Sequence, residues 1–396
     1  MKREKYIMLT LQQFIFLMYL IITTTIFLIS LNMGNEGIGI KLFGGGNDGY
    51  FYWEQAQNVA VGNEWIRTSI YPLIIGYLIK IIGVKSVYVI RIFNYCGFIL
   101  LVLFSKYLIK YQYLENDKSL NFKYSYKSMI LLLLIFLFYP SLQMNVNLSI
   151  YRDIWVYTLY LLSLILSIKL LFCKKNKLLN FSFLSIILWL LGEFRHYALL
   201  SFILSLLVYF IEKKLNKSNK RILLVFILIG VFIIYYNYFI DLKIPIVNMS
   251  FTDVLKYRNR GLYENSGGSQ MFINLEQPNF LLFILNYIYS FIGNLLGPLP
   301  WHIKNLPTLF AFFTETIPMV FILIFLWKTR KIMSQLQRYI LLHSFIWIIL
   351  IAVSNDNIGT ATRLRAISYI IILNVFVVNY VKYRYKKKNN KEHVIN

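Results

Sequence analysis

Cysteine, histidine and charge are all scarce in this chain, and each scarcity closes off a kind of protein. Two cysteines occur in 396 residues. Cys96 and Cys173 fall at or inside apolar stretches, which leaves no disulfide framework and no thiolate metal site; both are expected to be small packing residues. The four histidines include no pair at ligand spacing, so no zinc site is expected. Charged residues are 15% of the sequence, against roughly 25% in a soluble domain. That deficit excludes an ordinary water-soluble globule. No stretch has the composition of a separate soluble domain, no internal repeat is evident, and the one biased segment is a basic tail.

What is present is apolar: 58% of residues are hydrophobic and 18% aromatic. Runs long enough to span a hydrocarbon core of about 30 Å recur from end to end. Lipid offers the backbone no hydrogen-bond partner, so such runs must be helices or a closed barrel. They are continuous rather than alternating, which selects helices. The expectation is an all-α, polytopic transmembrane helical bundle, with residues 1–396 forming a single integral membrane domain. The N-terminus, Met1-Lys2-Arg3-Glu4-Lys5 followed by an apolar stretch from Tyr6 to Leu31, is too long for a signal peptide and lacks a clear cleavage site, so it reads as a retained first span.

The net charge of +24 would suggest nucleic acid in a soluble protein. Here the basic clusters lie between apolar runs, at Lys106 to Lys127, Lys169 to Lys177, Lys213 to Arg221, Lys328 to Arg338 and Lys382 to Lys391. Short basic loops mark the cytoplasmic side and attract anionic headgroups. The charge therefore points to membrane lipid as partner and to no nucleic acid. With the N-terminus and every basic cluster inside, ten spans fit: 7–31, 86–105, 128–142, 153–172, 179–192, 197–211, 222–240, 308–327, 339–353 and 367–383. Two further apolar stretches, 69–83 and 280–299, must not cross, and are expected to be re-entrant or interfacial. Residues 384–396 become a basic cytoplasmic tail. Nearly all the varied polar chemistry then falls outside, in a first outer loop at 32–68, at 141–153 and 193–196, in a long outer segment at 241–307, and at 354–365.

The first outer loop contains Gly44-Gly45-Gly46-Asn47-Asp48-Gly49-Tyr50. Asp48 opens a helix-like run, where it serves either as an N-cap or as a general base for an attacking hydroxyl at the membrane surface. Arg152 and Asp153 stand at the start of a span, either as an ion-paired cap or as a phosphate ligand with an orienting acid. Glu193, Arg195 and His196 are ionisable groups near bilayer depth, a costly placement that is functional by default; a self-satisfied Glu193–Arg195 pair is the structural alternative. Arg258 and Arg260, followed by Asn265-Ser266-Gly267-Gly268-Ser269, suit a phosphate clamp or a plain solvated loop. Trp301 in Gly297-Pro298-Leu299-Pro300-Trp301-His302 reads as an interfacial anchor or a substrate contact. Glu315 lies in an apolar run and needs an arginine from another helix. Arg363 and Arg365 break the positive-inside trend, which suits an anionic lipid-linked substrate or pairing with Glu315 or Asp356.

These elements resemble the GT-C superfamily of polytopic glycosyltransferases. The resemblance rests on Asn47-Asp48-Gly49-Tyr50 in the first outer loop and the following Tyr71-Pro72-Leu73. Further on it rests on the Arg258 to Ser269 stretch, Pro298-Leu299-Pro300-Trp301, Glu315, and Asn357-Ile358-Gly359-Thr360 with Arg363 and Arg365. It implies a GT-C-like fold, a polyprenyl-linked sugar donor, a glycan or lipid acceptor, and an active site at the outer face of a bacterial cytoplasmic membrane. It also implies an acidic base in the first outer loop, the position of Asp48; the residues themselves, apart from the resemblance, leave Asp153 to orient Arg152 or to share the acid–base work. The paired acids of some members are lacking, Glu54 lying six residues on as a substrate contact; no cofactor is fixed, and a divalent metal is left open. The expected activity is transfer of a sugar from the carrier during cell-surface polysaccharide synthesis. The alternatives are a repeat-unit polymerase of the O-antigen or capsule type and a lipid-linked glycan transporter.

Overall fold

The computed structural model describes residues 2–40, 46–114, 121–173, 176–214, 230–263 and 269–395. Among these the regular structure is helical, without a β-strand and with isolated bridges such as Gly39 with Ser149 and Gln270 with Asn357. The helices are α1 (Lys2–Asn32), α2 (Gly46–Val61), α3 (Tyr71–Ile82), α4 (Val87–Leu114), α5 (Asn121–Leu137), α6 (Pro140–Asn147), α7 (Asp153–Phe172), α8 (Lys177–Phe194) and α9 (His196–Lys214). They continue as α10 (Phe251–Tyr263), α11 (Phe280–Leu296), α12 (Leu306–Ala311), α13 (Ile317–Lys328), α14 (Gln335–Ser354), α15 (Ile358–Leu364) and α16 (Ala366–Ile395).

Among the described residues, eight helical runs are long and apolar enough to cross a membrane: α1, α4, α7, α8, α9, Leu306–Lys328, α14, and Ala366–Tyr385 of α16. Each falls on one of the expected spans. A ninth expected span, 128–142, does not run as one straight helix: it is bent at a short break. Pro140 cannot continue α5, because it lacks an N–H and its ring crowds the preceding turn. The chain restarts as α6 at 66° to the Tyr124–Leu137 part of α5. Residues 222–229 of the remaining expected span lie outside the described residues, and 230–238 are helical. The stretches 69–83 and 280–299 contain the shorter apolar helices α3 and α11. Local chemistry sets their ends: Pro72 starts α3, Gly83 closes it at φ +73°, and the Asn279 side chain caps α11 through the Leu282 N–H.

The described chain clusters into two compact units. The first comprises Met1–Arg195, Ile322–Gln337 and Ile372–Asn396. In it α1 packs on α4, α5 and α6, α4 also packs on α7, and α7 packs on α8. Tyr19 stacks on Phe98, with ring centroids 3.8 Å apart. Helix α2 lies against α3 because Gly76 admits the α2 backbone; a Cβ there would stand 2.6 Å from Val59 and 2.8 Å from the Ala56 carbonyl. Some interior polar groups pair across helices: Gln337 donates to Gln112 at 3.2 Å. The second unit comprises His196–Phe321 and Arg338–Ile371. Its core gathers Tyr236, Phe251, Leu255, Leu275 and Phe283, the rings meeting mainly edge-on or tilted. Helix α11 is tied to α14 by Tyr287 donating to the Ile349 carbonyl and Ser290 donating to the Ala352 carbonyl.

Candidate functional site

In the first unit, charged side chains converge on Tyr52. Asp48 lies in the first turn of α2 rather than at its cap, half-buried, where the helix dipole favours an anion. Tyr52 follows one turn later, on the same face, and is buried. Gly49 lets this turn sit against the 148–150 segment: a Cβ would come within 2.2 Å of Ser149 Oγ and 3.0 Å of Ile38. The Arg152 guanidinium lies 5.7 Å from the centre of the Tyr52 ring. Burial raises the Tyr52 phenol above its ordinary pKa; Arg152 and Arg195 lower it and Asp153 and Asp48 raise it. Four charged groups from three parts of the sequence thus act electrostatically on one hydroxyl.

A frame of hydrogen bonds holds this arrangement. Arg195 donates to Asp153 at 2.5 Å, joining the break after α8 to the start of α7. Arg67 donates to Glu193 at 2.7 Å, and the Ile70 N–H bonds the Glu193 carbonyl at 3.0 Å. The Glu193–Arg195 pair that stood as the structural alternative does not form; each residue pairs with another segment instead. Residues two apart do not face each other at a helix end, and Arg195 is extended. Tyr71 packs edge-on to Tyr52 at 5.3 Å and donates to Asn94 at 3.1 Å. Arg91, buried in α4, donates to the carbonyls of Gly37, Ile38 and Asn147, fixing the chain as it leaves α1. Arg67, Arg91, Asn94 and Tyr52 had not been singled out. The available signal was Arg91 itself, an arginine in an apolar helix that has to be satisfied by neighbours.

Glu54 is exposed on α2, turned about a third of the way round the helix from Asp48. His196 is exposed at the start of α9, in the second unit. Gly44 and Gly45 lie outside the described residues.

In the second unit, the arginines expected to bind phosphate divide. Arg258 is enclosed: it donates to Asp356 at 2.6 Å and to the carbonyls of Ile273, Ala352 and Asn355. Asp356 also accepts the N–H groups of Phe272 and Ile273, so the pair fastens the 271–273 segment to the loop after α14. Burial pushes the Asp356 carboxyl up and the Arg258 guanidinium down to about 10, Arg258 and Asp356 partly countering each other's shift. The Arg258 guanidinium stays charged near neutrality. Arg365 is likewise enclosed, donating to Glu315 at 3.0 Å and to the Gly297 carbonyl, which supplies the arginine that Glu315 required. For Arg258 and Arg365 the expectation of a phosphate-facing guanidinium is corrected: the carboxylates and carbonyls of the scaffold occupy them. Arg260 is exposed on α10 and Arg363 is half-buried on α15. Trp301 is 61% exposed. Residues Asn265 to Gly268 lie outside the described residues.

Among the described residues no three His, Cys, Asp or Glu side chains gather as a metal site. No family model, curated protein or solved structure matches the chain.

Proposed function

We propose that this chain is a GT-C-like glycosyltransferase of the bacterial cytoplasmic membrane, moving a sugar from a polyprenyl phosphate or pyrophosphate carrier to a glycan or lipid acceptor at the outer face. The observation that carries this reading is the convergence of Asp48, Arg152, Asp153 and Arg195 on Tyr52. Phosphate is a good leaving group, so the reaction needs a base, a charge partner and exclusion of water. Asp48 takes the proton from the acceptor hydroxyl as its oxygen bonds to the anomeric carbon. The bond from that carbon to the carrier phosphate breaks, and the phosphate leaves with the electron pair. Arg152 offsets the growing charge on the phosphate, while Asp153 orients Arg195 beside it. Arg260 and Arg363 remain the phosphate-binding candidates of their own unit.

The test is transfer of labelled sugar from a polyprenyl-linked donor in membranes carrying the full chain. Asp48→Asn is expected to abolish transfer at unchanged expression; full activity in that variant removes the assignment. A ladder of long polymer in place of single additions marks the repeat-unit polymerase instead, and carrier export without a new glycosidic bond marks the transporter.

A further inference from the structure

Trp301 carries two features that an ordinary membrane anchor does not need. Its indole is 61% exposed, yet its one polar group is already used within the protein: Nε1–H donates to the Tyr289 hydroxyl at 2.5 Å. An interfacial tryptophan keeps that N–H for water and headgroups. Here the bond locks the ring and leaves its flat, apolar area as what the surface offers.

The Tyr289 hydroxyl has a second partner, His302 Nε2, at 2.8 Å. The Leu299 N–H donates to His302 Nδ1 at 3.2 Å. A ring nitrogen that accepts cannot carry the proton, so the proton sits on Nε2 and points at Tyr289. Both lone pairs of the phenol oxygen are then filled by Trp301 and His302. Its own O–H remains to donate, and no described residue accepts it. A phenol that accepts two hydrogen bonds is also polarised into a stronger donor.

The turn bearing these residues is rigid. Arg365 donates to the Gly297 carbonyl, Thr316 donates to the Leu296 and Pro298 carbonyls, and Tyr369 donates to the Leu295 carbonyl. Lys304, two residues past His302, lays its ammonium 5.2 Å from the centre of the Phe272 ring. Phe272 is 63% exposed at φ +58°. A bulky residue in this left-handed region is strained, and Asp356 holds it there through the Phe272 N–H.

We infer that Trp301 and Tyr289, oriented by His302, form a subsite for a pyranose ring, the indole stacking on the apolar C–H face of the sugar while the Tyr289 O–H donates to a sugar oxygen at its edge. Two rigid aromatic groups, one flat and one with a single open donor, suit a ligand whose faces are apolar and whose rim is polar. Lys304 and Phe272 extend the platform toward an anionic or larger glycan. The inference rests on the sugar chemistry of the proposed function, but its readout is equilibrium binding. A chain that binds sugars and does not transfer them is thus distinguishable from one that does neither.

The test uses the full chain in lipid nanodiscs, titrated with methyl pyranosides of glucose, galactose and N-acetylglucosamine and with their uronates. Binding is read by saturation-transfer NMR. Trp301→Ala is expected to weaken the tightest probe about tenfold, and Tyr289→Phe about threefold to tenfold. Trp301→Phe should weaken it less than Trp301→Ala does. Trp327, about equally exposed but in the membrane-length run Leu306–Lys328, is the control: Trp327→Ala should leave binding unchanged. Nanodiscs containing brominated phospholipid add a second readout. Quenching that falls in the Trp327 variant and is unchanged in the Trp301 variants fits a sugar platform. No binding of any probe, equal binding by Trp301→Ala, or lipid quenching of Trp301 unaltered by sugar each overturns the subsite and returns Trp301 to a headgroup anchor.

Discussion

Around Tyr52, arginines and carboxylates meet at graded exposure. In the Arg67–Glu193 pair the two side chains are 67% and 23% exposed, and in Arg195–Asp153 they are 10% and 3%. Around Glu315 and Asp356 the same residue types are sealed in, Arg365 with Glu315 at 0% and 1%. In the first arrangement Arg67 and Glu193 keep charge where a ligand can meet it, while Asp153 is as buried as Asp356 and only Arg195 beside it is partly open. The second spends its donors on carbonyls of the scaffold, so that Arg258 and Arg365 set the shape of loops instead of binding anything. Residue type and spacing in the sequence therefore do not separate a ligand-binding arginine from a tying one; enclosure does.

The largest expected effect sharpens that contrast. Removing one partner of an enclosed pair leaves a buried, uncompensated charge, which costs about 3–5 kcal/mol. Asp356→Asn strands Arg258, and Glu315→Gln strands Arg365. Each should lower the thermal melting temperature of the detergent-solubilised chain by many degrees. Asp356→Asn should also free the 271–273 stretch, seen as faster amide exchange at Phe272 and Ile273. Replacing both partners, Arg258→Met with Asp356→Leu, should recover much of the melting temperature, because a buried ion pair adds little over well-packed apolar groups. Melting unchanged in Asp356→Asn would mean the enclosure carries no structural weight.

Next in size is Asp153→Asn, at roughly 1.5–3 kcal/mol for one charge-assisted hydrogen bond. It lies at the edge of the open cluster, so transfer activity should fall further than the stability loss explains. Comparing activity in intact membranes with the melting curve of the same variant separates the two contributions. Activity that merely tracks folded protein would make Asp153 a tie like Asp356.

A smaller effect comes from pH. Burial, and then Lys304, hold His302 below its usual pKa, so the folded chain prefers the neutral ring. Above about pH 6.5 both folded and unfolded states are neutral there. As pH falls below that value the unfolded state takes up a proton first, and stability is lost until the folded pKa is passed. The melting temperature should decline between pH 7 and pH 5, and His302→Gln should flatten that decline. An identical slope in the variant would mean that the bond from the Leu299 N–H does not hold the neutral ring in place.

The apolar runs of membrane length were legible because lipid imposes a length and a composition on any helix that crosses it; the bend at Pro140 was not, since 128–142 is expected from its apolar run to continue as one span. The need of Glu315 for an arginine was legible too, since an apolar run cannot leave a carboxylate alone. The pairing itself was not. Arg195 meets Asp153 across 42 positions and Arg258 meets Asp356 across 98, and no local pattern encodes such distances. The neighbouring acid at Glu193 was a false cue for Arg195, because the helix end sends the two side chains to different segments. Tyr52 escaped notice for a related reason: a tyrosine in an aromatic-rich loop gains meaning only from the charges that the fold brings around it.

The smallest expected effect belongs to the Arg67–Glu193 pair, and it bears most directly on the contrast. Glu193 makes two connections of different kinds: its carboxylate meets Arg67, while its carbonyl accepts the Ile70 N–H. Glu193→Gln removes the first and keeps the second, so the loop before α3 should stay docked. Arg67 is mostly in water, where such a pair is worth about 0–1 kcal/mol and weakens as salt is added. The melting temperature of Glu193→Gln should therefore lie within a degree or two of the parent at moderate salt, and Arg67→Ala should behave alike. In a double-mutant cycle the coupling should shrink toward zero between 50 mM and 500 mM salt, whereas the Arg258–Asp356 coupling should hardly move, being screened by protein instead of by ions. A Glu193→Gln loss as large as that of Asp356→Asn, or a coupling indifferent to salt, would show that the cluster around Tyr52 is as closed as the other and that its charges are ties rather than ligands.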